Sequence, residues 1–225
     1  MMTVRLFFLG GVLVLGLVTG ADAVRAQMAD AAVASSSQDG AQEIAVRNTP
    51  AKGAQGFIES VARRGIGFLS DASMTPAQQK QSFRNLLRDS FDMATIGRFA
   101  LGQYWRVATP AQRTEYLRLF EKMIVDVYSE RFGTYNGQTL KMDGTKQVND
   151  TDSMVTTFVV PKNGGSSVRV DWRVRQSGGA YRIVDIVVEG VSMSVTQRSD
   201  FSAVLNRGDG DIAALIEYLK NPKKG

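Results

Sequence analysis

The sequence predicts an α+β domain of about four antiparallel strands with helices packed on one face, and three observations carry that prediction. Apolar residues recur at three- and four-residue intervals between Ala54 and Phe132. They then alternate, one in and one out, from Leu140 to Val188. Short polar turns join the alternating stretches, which points to antiparallel pairing because a parallel crossover needs a much longer connection.

The chain opens with a stretch that reads as a secretory signal over residues 1–23. Arg5 gives a positive start, Leu6 to Val18 carry no charge, and Ala21-Asp22-Ala23 has the A-x-A form of a cleavage site. The apolar run is about 13 residues, short of the roughly 20 that span a bilayer as a helix, and an uncleaved anchor is the alternative. A second cleavage pattern, Val24-Arg25-Ala26, follows at once. Residues 24–53 are rich in Ala, Ser, Gln and Gly, hold no period, and are expected to form a flexible leader. A single folded domain is expected over 54–222, with no internal repeat of solenoid length.

Phe57, Ile58, Val61, Ile66, Phe68 and Leu69 form the first helical stripe, through Ser70. The next two helix starts share a phrase. Thr75-Pro76-Ala77-Gln78 and Thr109-Pro110-Ala111-Gln112 each set Thr at the N-cap, Pro at the first helical position and Gln three residues after the cap. Each is a capping box with Pro where its missing N–H costs nothing. The first opens a helix with Phe83, Leu86 and Leu87, and Phe91 a turn later. A short element from Asp92 to Leu101 is closed by Gly102. The second opens what is expected to be the longest helix, with Tyr116, Leu117, Phe120, Met123, Ile124, Val127, Tyr128 and Phe132 on one broad face. Such a face is most often plain core, and its width and large aromatics would also suit one wall of an apolar cavity.

Four strands are expected at Leu140–Val148, Met154–Val160, Val168–Arg175 and Tyr181–Val188. The third is the clearest, with Val168, Val170, Trp172 and Val174 on one side and Arg169, Asp171, Arg173 and Arg175 on the other. Ser194-Val195-Thr196-Gln197 reads as a further capping box, opening a helix that carries Phe201, Val204 and Leu205 and stops at Gly208. The last helix runs from Asp211 to Lys220, with Ile212, Leu215, Ile216 and Leu219 on one face.

Composition narrows the chemistry. The 225 residues include no Cys and no His, so there is no disulfide, thiolate nucleophile, imidazole base, Cys-ligated metal or Ser-His-Asp triad. Phosphate loops, dinucleotide fingerprints, EF-hand loops and GxSxG elbows are absent. Asp150 and Asp152 sit close together, but in a turn, where acidic residues serve local structure. Asp185 falls on the Trp172 face if the preceding turn holds four residues, and on the arginine face, near Arg173, if that length changes by one. It reads as a satisfied strand-end carboxylate more readily than as a catalytic group. Arg169, Arg173, Arg175 and Arg182 concentrate charge on the outer sheet face. A net charge of +5 and a secretory signal make an anionic membrane surface or an acidic protein a better partner for that face than nucleic acid, a solvated strand face being the plain alternative.

Several phrases, in order, resemble the periplasmic phospholipid-binding proteins of the MlaC type, also called toluene-tolerance auxiliary proteins. They are Phe91-Asp92 with Ile96, then Leu101-Gly102-Gln103-Tyr104-Trp105-Arg106, then Thr109 and Gln112 opening the helix of Phe120 and Tyr128. The stretch Tyr181 to Ser192 follows, with Arg198 and Phe201 after it. The resemblance implies a soluble periplasmic carrier of a glycerophospholipid, its acyl chains held between helices and sheet. It implies partners in an inner-membrane ABC transporter with an MCE-domain subunit and an outer-membrane lipoprotein complex, with transient membrane contact. The implied role is upkeep of outer-membrane lipid asymmetry, with no catalytic residue, metal or cofactor. A hopanoid-associated accessory is the alternative within that family, and a carboxylate-based enzyme in an α+β pocket the alternative outside it.

Two acyl chains of roughly 15 methylenes each, at about 0.8 kcal/mol per CH₂, represent on the order of 24 kcal/mol of exposure to hide from water. The candidate lining is Phe91, Ile96, Tyr104, Trp105, Phe120, Ile124, Tyr128, Val170, Trp172, Val174, Ile183 and Val187. Arg106, Arg169 and Arg173 are the candidates for a headgroup or partner surface.

Overall fold

The structure is a computed structural model, and it describes residues 50–221. The expected signal (1–23) and almost all of the expected leader lie outside those residues. Helix α1 (Pro50–Ser70) starts inside the expected leader, because Ala54 and Ile58 are buried a turn apart and carry the helix back toward Pro50. After it come α2 (Pro76–Ser90), α3 (Met93–Leu101), the short α4 (Tyr104–Val107) and α5 (Pro110–Ser129). Strands β1 (Thr139–Gln147), β2 (Asp152–Val160), β3 (Val168–Ser177) and β4 (Ala180–Val188) follow, with a two-residue β5 (Val191–Ser192), α6 (Met193–Arg207) and α7 (Ile212–Lys220). The expected longest helix, α5, has 20 residues against 21 in α1. Phe132, expected on that helix, falls instead in a 3₁₀ turn, Phe132–Thr134.

Local chemistry sets the helix ends. Thr75 and Thr109 both close full capping boxes, with Gln78 and Gln112 returning a carbonyl to the cap N–H at 2.7 and 2.9 Å. Asp92 caps α3 and Asp211 caps α7, each accepting from a backbone N–H. Gly102 ends α3 with φ +61°, a conformation that favours glycine. The capping box expected at Ser194 does not form. Ser192 is the N-cap instead, which leaves Ser194 and Gln197 inside α6 with side chains free for other partners.

The sheet is antiparallel in the order β1-β2-β3-β4-β5. Gly178 and Gly179, both at positive φ, make a two-residue turn between β3 and β4, the geometry whose twist matches a hairpin. The register then slips between Arg173 and Val174, so that Val184 is an extra residue and Asp185 is the backbone register partner of Arg173. A second slip, in β1 between Met142 and Gly144, leaves Asp143 unpaired on the outermost strand.

Helices cover one face, with α1 lying across the strands from β1 onward and α6 and α3 over the β4 flank. The other face is polar, and its carboxylates are paired with arginines. Asp152, with no exposed side-chain surface, takes Arg175 at 2.7 Å and Arg173 at 2.8 Å, while Arg169 meets Asp171 at 3.0 Å. Thr156 also donates to Asp171, at 2.6 Å.

Close approach of α3 to α5 depends on Gly97. A Cβ there would stand 2.7 Å from Leu117 Cδ2 and 3.2 Å from the ring of the buried Phe120. Gly97→Ala should therefore destabilise the fold by about 1–2 kcal/mol despite alanine's better helix propensity, as read by chemical denaturation.

Candidate functional site

The apolar interior forms two clusters. One joins the helices α3 to α7 around Tyr116, Phe120, Phe201, Leu205 and Leu215. The other joins α1 and α2 to the inner face of the sheet around Ala54, Ile58, Val155, Val174 and Ile183. Between them lies a hollow of about 290 Å³, near the lower end of the range for ligand pockets. Both clusters contribute to its wall: Ile96, Phe120 and Ile124 from the first, Val61, Phe83, Leu86 and Ile186 from the second. A crevice between α1 and β1, flanked by Glu59 and Arg63, shares Ala62, Ile66 and Leu140 with the hollow and continues it to the surface.

The wall is almost entirely hydrocarbon. Polar side-chain groups come only from Tyr128, Trp172, Asp185, Ser194 and Gln197 among the described residues. Three of them, Trp172, Asp185 and Ser194, are accounted for by hydrogen-bond partners. Trp172 Nε1 donates to Thr157 Oγ1 at 2.9 Å, and Thr157 in turn donates to the Val170 carbonyl, so the indole turns an apolar surface to the hollow. Burial raises the Tyr128 phenol above its usual range. Asp185 accepts from the Ile186 N–H, the Ser194 N–H and Oγ, and the Ser192 Oγ, at 2.6 to 3.1 Å. It is a satisfied carboxylate that ties β4 to the start of α6. Gln197 has no such partner.

Of the residues singled out in the sequence, Phe91, Ile96, Phe120, Ile124, Tyr128 and Trp172 border the hollow. The other six do not. Val170, Val174 and Ile183 are fully buried, with Val174 and Ile183 packed against Ala54 and Ile58 of α1. Tyr104 and Trp105 pack on the all-helical cluster, where Tyr104 donates to Asn206 and Trp105 carries Arg113 over its ring at 5.2 Å. Val187 pairs with Asp171 and Ser192, away from the lining. Arg169 and Arg173 are engaged by Asp171 and Asp152 on the outer sheet face. Arg106 is exposed on α4, which contributes nothing to the lining.

Sequence reasoning missed the α1 and α2 walls: Val61, Ala62, Gly65, Ile66 and Leu69, then Phe83, Leu86 and Leu87. It also missed Met93, Leu140, Val159, Ile186, Met193, Ser194 and Gln197. One signal was available. Gly65 and Gly67 weaken the interior of a helix, which is tolerated where space or a close approach is needed.

Among the described residues no helix is long and apolar enough to cross a membrane. The fold matches that of a phospholipid-binding protein from Ralstonia solanacearum, solved in complex with a phospholipid. The TM-score is 0.65 at 22% identity, over 74% of this chain and 94% of that one. By sequence the chain is similar to the intermembrane phospholipid transport system binding protein MlaC of Haemophilus influenzae, at 22% identity over 141 residues. That alignment takes in 61% of this chain and 66% of the relative. It is also similar to the toluene tolerance protein ttg2D of Pseudomonas putida, at 24% identity over 115 residues, 51% of this chain and 53% of the relative. The chain thus spans less than two thirds of the length of either relative. The family model described as MlaC protein matches residues 60–221. That match takes in the strands, the hollow and every helix from the second half of α1 onward, and the chain belongs to the MlaC family.

Proposed function

We propose that this protein is a phospholipid carrier that takes acyl chains into the hollow between helices and sheet and moves the lipid between membranes. The observation that carries the reading is the hollow itself, an opening with a hydrocarbon wall set between two packed clusters. Protein interiors otherwise fill such space. The names of the relatives support it: one is a phospholipid transport binding protein, and the structural neighbour was solved with a phospholipid bound.

The driving force is the area of chain removed from water, at about 0.8 kcal/mol per methylene, so the wall needs no directed polar group to bind tightly. The crevice between α1 and β1 gives the route out, and its flanking Glu59 and Arg63 leave a headgroup in a polar, wet setting. In this reading the protein is exported by residues 1–23, works in the periplasm and carries out no catalysis. It hands lipid between an outer-membrane lipoprotein complex and an inner-membrane ABC transporter with an MCE-domain subunit, so maintaining outer-membrane asymmetry. Arg106, Arg169 and Arg173 stand outside the hollow, and we assign them to the surface that meets those partners or the membrane.

Organic extraction and mass spectrometry of protein purified from cells test the reading. A two-chain glycerophospholipid at up to one per protein is the expected result. An absence of lipid at any stoichiometry, or a triterpenoid in its place, overturns it.

A further inference from the structure

The crevice that leads out of the hollow carries two opposite charges that do not meet. It is lined by Ala62, Ile66, Gly67, Leu140 and Met142, and its only charged residues are Glu59 and Arg63. Its α1 residues fall three, four, seven and eight positions after Glu59, a single stripe of the helix turned toward β1. Glu59 precedes Arg63 by four residues, the spacing and order in which a helix most readily closes an ion pair. The chain closes such pairs elsewhere, with Lys122 on Asp126 at 2.5 Å and Arg118 on Glu115 at 2.9 Å. Here none forms. One Glu59 oxygen accepts from the Gln55 amide at 3.0 Å. Among the described residues its other oxygen and the whole Arg63 guanidinium have no partner, whereas Arg64, the next residue, meets Asp89 of α2 at 2.6 Å. Arg63 is exposed and Glu59 half-buried, so both reach the water at the opening.

A lipid with its chains in the hollow and its head in the crevice brings that head between the two charges. A purely anionic head is drawn to Arg63 and repelled by Glu59, and an uncharged head uses neither. A phosphate diester joined by a short link to a primary ammonium satisfies both. Its phosphate oxygens accept from the guanidinium while the ammonium donates to the carboxylate. A quaternary ammonium has the charge but no N–H to donate. We propose that Glu59 and Arg63 form a headgroup subsite that selects zwitterionic phosphoethanolamine lipids. The inference rests on the carrier reading and names the headgroup class of its ligand. Both contacts are made in water, so the selection is several-fold and not of many orders of magnitude.

The test loads purified, delipidated protein from vesicles of dioleoyl phosphatidylethanolamine, phosphatidylglycerol and phosphatidylcholine in equal amounts. A small fraction of dioleoylglycerol supplies a head without phosphate. The readout is the ratio of headgroups extracted from the protein, measured by mass spectrometry against the vesicle, and not the total load. Wild type should enrich the ethanolamine lipid about fivefold over the other two phospholipids, and high salt should shrink that preference. Glu59→Gln should level the three phospholipids. Arg63→Gln should shift the ratio from phospholipid toward dioleoylglycerol. Arg64→Gln, which removes the neighbouring cation, should keep the wild-type ratios. No ethanolamine preference in wild type, a preference that survives Glu59→Gln, or an Arg63→Gln protein with wild-type ratios would each overturn the subsite and leave the carrier reading intact. A protein that takes up no lipid at all would overturn both.

Discussion

Gly65→Leu should give a protein that is at least as stable as wild type and nearly empty of lipid. Gly65 stands inside α1 and borders the hollow, and a Cβ there would meet only Leu86 Cδ2, at an ordinary 3.9 Å. The helix gains up to about 1 kcal/mol from losing a glycine in its interior. The four added carbons take space from the ligand. Displacing about four methylenes at about 0.8 kcal/mol each weakens binding by roughly a hundredfold. Gly56→Leu is the control, since Gly56 is exposed on the same helix and a Cβ there meets nothing within 4 Å. Lipid content by mass spectrometry and stability by denaturation should then move in opposite directions for Gly65→Leu alone. Unchanged lipid content in that variant would mean that the chains go elsewhere.

Asp152→Ala should be the most damaging single change on the outer sheet face, costing about 2–3 kcal/mol. The carboxylate has no exposed surface and joins the start of β2 to two arginines of β3. Its removal strands both guanidinium groups, though each is 38–39% exposed and reaches water, which keeps the loss below that of a fully buried pair. Hydrogen bonds from Arg175, then Arg173, hold the Asp152 carboxyl at about 2, below its unfolded value. The sign follows from that depression. The stabilisation, about 2 kcal/mol, is complete above about pH 4, where the unfolded carboxyl is ionised too, and is lost as the pH falls toward 2. Denaturation of wild type and Asp152→Asn at pH 7, 4 and 2.5 should show the gap between them narrowing at the lowest pH. A gap that stays constant would place the stabilisation elsewhere.

Elements that announce themselves through local chemistry were legible in the sequence. Thr75 and Thr109 with their prolines and glutamines mark two helix starts, and the alternation of β3 separates the face of Trp172 from the face of Arg173. The hollow was legible only in part, because periodicity reports that a residue is buried and not what stands opposite. Phe120 and Val174 carry the same signal, yet one borders open space and the other is covered by α1. Asp185 depended on an extra residue at Val184, and no pattern of residue types marked that slip. Gln197 was misread for a related reason. A Ser three residues before a Gln fits a capping box, but Ser192 took the cap through its own hydroxyl and left the glutamine facing inward.

The outermost strand has a further consequence for self-association. β1 presents a margin with no neighbour among the described residues, the kind of margin onto which a second copy could add a strand. The unpaired Asp143 breaks the run of regularly spaced backbone groups at mid-strand, and the exposed Lys141 and Lys146 would bring like charges together in any head-on union. The margin is thereby spoiled as a template, and self-association through it into fibrils is disfavoured.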